Sequence, residues 1–290
     1  LLFSDRFQEN LMQLMPVDLV RGEVDLPLLP AIFQQFTDKL DDPSAKAEDF
    51  AEIISSDPSL TAKLLKIVNS AYYSFTASIT DVTHAITIVG LTELRELVLA
   101  VSVVEFFDDL PNQIVNMKSF WQHSVLTGLL ARELQNTAAF RSKQSMFTAG
   151  MLHDIGSLVF YNRLPEIARS VLEISDREKT PRYLVERSNL GFDHANIGGE
   201  LVRHWGLPGF LIEVIDCHHA PERAESFHRE TQLLQLADRV ARLMEQDVAF
   251  AVILEEARKL SETMNESDLS LAIENAKEKH ASVLSAVQPD

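Results

Sequence analysis

The sequence predicts an all-α protein, a multi-helix bundle, and three observations carry that expectation. Apolar residues recur at helical spacing along nearly the whole chain. No segment alternates apolar and polar residues as a half-buried strand does. The breaks between apolar stretches hold helix-start and helix-stop residues, such as Asp57-Pro58 and Gly90. The 290 residues are 46% apolar and 24% charged, an ordinary globular composition.

The elements follow in chain order. Phe3, Phe7, Leu11, Leu14 and Met15 step round one helical face. Pro27 and Pro30 open a second segment with Ile32, Phe33 and Phe36 inside. At Asp57-Pro58 an acidic N-cap precedes proline at the first helical position, and the helix buries Leu60, Leu64, Leu65 and Val68 before ending near Asn69-Ser70. Ala71 to Ile79 reads as a loop pinned by aromatic rings. Thr80 or Asp81 caps the next helix, which stops at Gly90. Thr92 to Phe107 is apolar nearly all round, so it belongs at the centre of a bundle. Pro111-Asn112 breaks the chain. Two long helices follow, Ser119–Gln135 and Ser142–Asn162. Shorter ones are expected at Pro165–Ser175, Arg182–Ser188, Ala195–Trp205 and Gly209–His218, then one at Thr231–Gln246. The tail, Leu254 to His280, holds two helices separated near Asn265.

The expected organisation is an acidic helical half, 1–115, packed against a histidine-rich half, 116–245, with a helical extension, 246–290. Net charge is −17; residues 1–110 carry 18 acidic and 7 basic side chains, the remainder 25 and 19. Such a surface repels phosphate backbones and anionic lipid, which argues against nucleic-acid and membrane partners. The acidity serves solubility or meets a basic partner surface. Cys217 is the single cysteine, so no internal disulfide forms and a cytoplasmic location is expected. No apolar run reaches the ~18–20 residues of a membrane helix. The chain starts at Leu1, not Met, so a processed or truncated chain, with an upstream domain, is one expectation.

The chemistry lies in the histidines. His123 falls in FWQHS, His153-Asp154 in MLHDIG, His194 in DHANIGG, His218-His219 in CHHAP and Asp238 in LADRVA. Imidazole and carboxylate donors suit iron, zinc or manganese, and facing helices of a bundle can supply them together. The alternative is a polar cluster that hydrogen-bonds internally or to water. His84 and His204 read as core or exposed histidines, His228 and His280 as exposed, and Cys217 as a small buried hydrophobe. Asn69-Ser70 with Tyr72 and Tyr73 reads either as a helix end with packed rings or as a ligand-binding turn. Gly191, Gly198 and Gly199 follow no strand, so they are not a dinucleotide loop.

HDIG, with a preceding helical histidine and a later LAD, resembles the HD superfamily of metal-dependent phosphohydrolases. The segments LPLLPAIFQQF, IISSDPSLTAKLLKIVNSAYY, ITDVTHAITIVGLTELRELVLA and FWQHSVLTGLLAREL resemble the HDOD family more narrowly, from about Asp25 to Ala220. The resemblance implies a signalling output module that binds a protein partner or small ligand. It also implies metal ligands at His123, His153, Asp154 and Asp238, with His194, His218 and His219 where the two-metal branch adds histidines. One or two divalent ions are then expected, and the rival function is phosphohydrolase or phosphodiesterase. Three departures point to the module. Ser157 stands where the active branch has a basic residue, the segment after His219 lacks Gly-Tyr-Pro, and Ser119 stands where an acid would precede His123. Arg132, Arg141 and Lys143 are poorly placed to reach a phosphate near His153, which leaves Arg203, Arg239 or Arg242 as the cations for the fold to supply.

Overall fold

The computed structural model describes residues 14–21, 30–73, 75–108, 114–137, 144–261 and 264–288. Among them every regular element is a helix, as expected. The helical face at Phe3–Leu11, the Pro27 start and the Pro111-Asn112 break lie outside the described residues. The chain divides into two compact units, one from the described parts of 1–26, 111–116 and 152–235, the other from those of 27–110, 117–151 and 236–290. No helix among the described residues is long and apolar enough to cross a membrane.

The second of these units contains the helix predicted to be central. Leu91–Asp108 packs on Ala31–Leu40, Pro58–Val68 and Val82–Val89, and Leu94, Leu97, Val98, Val101, Val104 and Phe107 are almost wholly buried. The caps are those the sequence signals. Asp57 accepts hydrogen bonds from the Ser59 and Leu60 amides at 2.8 and 3.0 Å. Asp81 accepts from the His84 amide, and Gly90 closes that helix at φ 91°, a backbone conformation glycine adopts without steric cost. Asn265 caps Glu266–Val287, which lies along Met117–Gln135. Lys279 ties the pair together through a 2.8 Å ion pair with the buried Glu133.

In the other unit, helices Ile155–Arg163, His194–His204 and Gly209–Cys217 approach unusually closely. Glycines make this possible. A methyl group at Gly156 would lie 2.0 Å from the His194 carbonyl oxygen and 2.4 Å from the Gly198 nitrogen. One at Gly199 would lie 2.6 Å from the Asp216 Cβ. Pro16–Arg21 covers the outer side of His194–His204, held by the Arg163 Nε–H donating to the Leu19 carbonyl at 3.1 Å.

One expectation is corrected. The helix expected over Ser142–Asn162 is two helices, Met146–Leu152 and Ile155–Arg163, with His153 and Asp154 in the turn between them. The helix Ala47–Ser55 was not expected at all.

Candidate metal centre

The break at His153-Asp154 serves the site. A continuous helix would point the two side chains about 100° apart. Asp154 instead has φ −95° and ψ 6°, immediately ahead of Ile155–Arg163. Its carboxylate makes no bond to the helix amides but turns toward the histidines. Asp154 Oδ1 lies 3.0 Å from His194 Nε2, 3.5 Å from His153 Nε2 and 3.8 Å from His218 Nε2. His219 Nε2 lies 2.9 Å from His194 Nε2. One ligand atom each from Asp154, His194, His218 and His219 falls within 4.8 Å of all the others.

The helix ends place these groups. His194 is the first residue of a helix capped by Asp193, whose carboxylate accepts from the Ala195 and Asn196 amides. His218 and His219 follow the last turn of Gly209–Cys217, brought close by the small face at Gly198 and Gly199. His153, Asp154, His194 and His218 are all buried, and only His219 is half-open.

The far sides of the rings are held as metal-binding imidazoles usually are. His218 Nδ1 donates to the Ile215 carbonyl at 2.8 Å, which leaves Nε2 facing the cluster. Glu186, which is 1% exposed, accepts from both the ring Nδ1 and the backbone N–H of His194, at 2.6 and 2.9 Å. Burial and Arg182 oppose a charge on the His194 ring, but the Glu186 and Asp154 carboxylates together prevail and push the pKa up to about 9. Burial likewise opposes charge on Glu186. His194 and Arg182 overcome this and hold its carboxyl below the usual range.

Arg182 is the cation that this unit brings to the cluster. Its guanidinium donates to Ser157 Oγ at 2.8 Å and to the Tyr161 hydroxyl, lies 3.4 Å from Asp154 Oδ2 and pairs with Glu186 at 3.2 Å. The basic group lacking at position 157 in sequence is thus supplied in space from helix Arg182–Leu190. Arg203 is paired with Glu200 and largely exposed, and Arg239 is exposed. Tyr183, on the same helix, stacks on His219 with ring centroids 4.1 Å apart. Sequence reasoning missed Arg182, Tyr183 and Glu186. Their signal was the Arg182/Glu186 spacing of four, which places both on one helical face just before the Asp193-His194 cap.

His123 and Asp238 belong to the other unit and are paired there. His123 Nε2 is 3.0 Å from Asp238 Oδ1, and its Nδ1 is 3.1 Å from Glu245. Arg242 also bonds Asp238, at 2.8 Å. Burial and Arg242 disfavour a charged ring, but Asp238 and Glu245 prevail and push the His123 pKa up to about 9. The remaining histidines are unremarkable: His84, His204 and His228 are exposed, and His280 is half-buried against the Gln122 carbonyl. Cys217 is buried, and burial pushes its thiol up to about 11.

Fold and site together define an all-helical protein with an HD-type histidine–aspartate cluster. The HDOD domain matches residues 26–221, and the chain belongs to the HDOD domain family. It is 26% identical over 234 residues to an uncharacterized protein of Treponema pallidum (strain Nichols), a match covering 79% of this chain and 44% of that protein. The chain thus spans less than half the length of that relative. Among solved structures, a provisionally assigned phosphohydrolase from Shewanella amazonensis SB2B superposes with TM-score 0.76 at 23% identity, over 96% of this chain and 98% of that one. An HDOD domain protein of unknown function from Geobacter sulfurreducens gives 0.71 at 22% identity, over 98% of both chains. A provisionally assigned signal transduction protein from Marinobacter aquaeolei VT8 gives 0.66 at 18%, over 98% of this chain and 65% of that one. These likenesses establish the fold.

Proposed function

We propose that the chain is a signal-transduction output module that binds a protein partner or small ligand, and that Asp154, His194, His218 and His219 hold a divalent metal ion which fixes this part of the fold. The observation that carries the reading is the closed, four-donor character of the cluster. Structural metal sites are filled by protein ligands, whereas catalytic ones keep a position open to water or substrate. Here one carboxylate and three imidazoles converge, three of the four buried, with Glu186 and the Ile215 carbonyl orienting two of the rings. Iron, zinc and manganese all suit such donors. The ligand role of His153 rests on its approach to Asp154 Oδ1 at 3.5 Å and on the resemblance to the HD superfamily, that of the His123–Asp238 pair on the resemblance.

Arg182 favours a second reading, a metal-dependent phosphohydrolase. A bound divalent ion would supply Lewis acidity and a water of lowered pKa, and Arg182 the further positive charge a phosphate needs. Against this, Arg182 is already engaged by Asp154, Glu186, Ser157 and Tyr161. A panel of phosphate mono- and diesters, assayed with iron-, zinc- and manganese-loaded protein, separates the two readings. The module reading expects no turnover that depends on Asp154. Hydrolysis abolished in folded Asp154→Ala and in Arg182→Met would establish the enzyme instead.

A further inference from the structure

The unit that contains Leu91–Asp108 has a half-open cavity of about 410 Å³, within the range of small-molecule sites. Its charges are arranged unevenly. Arg95 and Glu96 neutralise each other at 2.7 Å. Arg132 and Glu93 do not: among the described residues neither has an ion pair. Arg132 sits 3.6 Å above the centre of the Tyr72 ring and donates to the Tyr72 carbonyl at 2.8 Å. Glu93 accepts from the hydroxyls of Tyr72 and Tyr73 through a single oxygen, Oε1, at 3.3 and 3.0 Å. Burial pushes both phenols well above their ordinary pKa, so they remain neutral donors to the Glu93 carboxylate. The cavity therefore offers one cation and one anion, separated by tyrosine rings. Beside them is an apolar rim in which Phe75 stacks on Tyr73 and Ile88 is 47% exposed.

We propose that this cavity binds a small zwitterion, a free α-amino acid with an apolar side chain. Arg132 takes the carboxylate through its fork of N–H donors. Glu93 and the tyrosine faces take the ammonium, and the side chain lies against Phe75 and Ile88. Nucleotides fit less well, because Glu93 and Glu96 repel a phosphate while only Arg132 lacks a carboxylate partner. The assignment does not rest on the metal centre. It gives the ring-pinned turn at Tyr72 and Tyr73 a ligand-binding role.

The test is calorimetric titration of the full chain with L-phenylalanine and L-leucine, then with N-acetyl-L-phenylalanine, L-phenylalaninamide and AMP. Removing either ligand charge should weaken binding about ten- to a hundredfold, the worth of one or two charge-assisted hydrogen bonds. Arg132→Met should do the same. Because Arg132 also holds the Tyr72 carbonyl, the rim variant Ile88→Asp, which disturbs no internal hydrogen bond, should weaken L-leucine as well. Absence of heat with both amino acids at millimolar concentration would overturn the proposal. So would equal binding of the blocked forms, or tighter binding of AMP that is lost in Arg132→Met.

Discussion

Glu186→Gln tests how the cluster is organised. In the native site the Glu186 carboxylate accepts from two N–H groups of His194, at 2.6 and 2.9 Å, and balances Arg182 at 3.2 Å. Glutamine is nearly isosteric, so the packing survives. Its amide, however, offers one acceptor oxygen where the site has three donors pointing in, and its NH2 must face one of them. Both His194 N–H groups meet the one oxygen Oε2, so the glutamine oxygen takes that place, its NH2 faces Arg182, and the ring keeps only a neutral, weaker acceptor. The lost charge acts in two directions, since the same carboxylate, with Asp154, pushes the His194 pKa up to about 9, and a metal must displace that proton. A divalent ion feels twice the field a proton does, so the loss of attraction dominates. Removing such an outer partner typically weakens metal binding about 10–100-fold. Competition of Zn2+ or Mn2+ against a chromophoric chelator at pH 7 measures this, with circular dichroism as the check on folding. Affinity within twofold of the native protein, in a folded variant, would refute the reasoning.

Three further outcomes follow from the same geometry. Gly156→Ala places a methyl 2.0 Å from a backbone oxygen, so the helices must separate. The expected cost is a few kcal/mol, in the range of overpacked cores, read as a lowered denaturant midpoint with metal binding weakened in parallel; an unchanged midpoint would contradict the close approach. The His123 pKa of about 9 lies above its unfolded value near 6.5. Its pairing with Asp238 and Glu245 therefore stabilises fully below about pH 6.5 and is lost as pH rises through 9, an effect of at most about 3 kcal/mol. In chelator-treated protein the melting temperature should fall between pH 7 and 9.5, and His123→Gln should flatten that slope. Cys217, with its thiol pushed up to about 11 and its side chain buried, should resist maleimide at pH 7 in folded protein and react once unfolded; rapid labelling of the folded chain would contradict its burial.

Much of this was legible in the sequence because helix ends announce themselves locally. Asp57, Asp81 and Asn265 cap through their own side chains, and such signals need only neighbouring residues. The site histidines were legible as motifs. The break at His153-Asp154 was not, because apolar residues continue on both sides, from Met146–Leu152 to Ile155–Tyr161, and hydropathy shows no interruption. The helix Ala47–Ser55 starts at Lys46, a residue with no capping preference; its signal was Asp49, which reaches back to the Lys46 amide at 2.9 Å. Arg182 and Glu186 stand four apart on a short helix, and nothing in the local sequence marks their face as buried. Only the packing of that helix against His194 and Asp154 makes them part of the site, and a contact between helices leaves no local trace.

The central claim, that the buried cluster around Asp154 holds a divalent metal, is tested most directly by elemental analysis of protein purified without a chelating tag. Native protein and Asp154→Ala should be compared after reconstitution with iron, zinc and manganese under reducing conditions. Stoichiometric metal is expected in the native chain, and its loss in Asp154→Ala. A native chain that takes up no metal, or an Asp154→Ala chain that keeps a full complement, would contradict it.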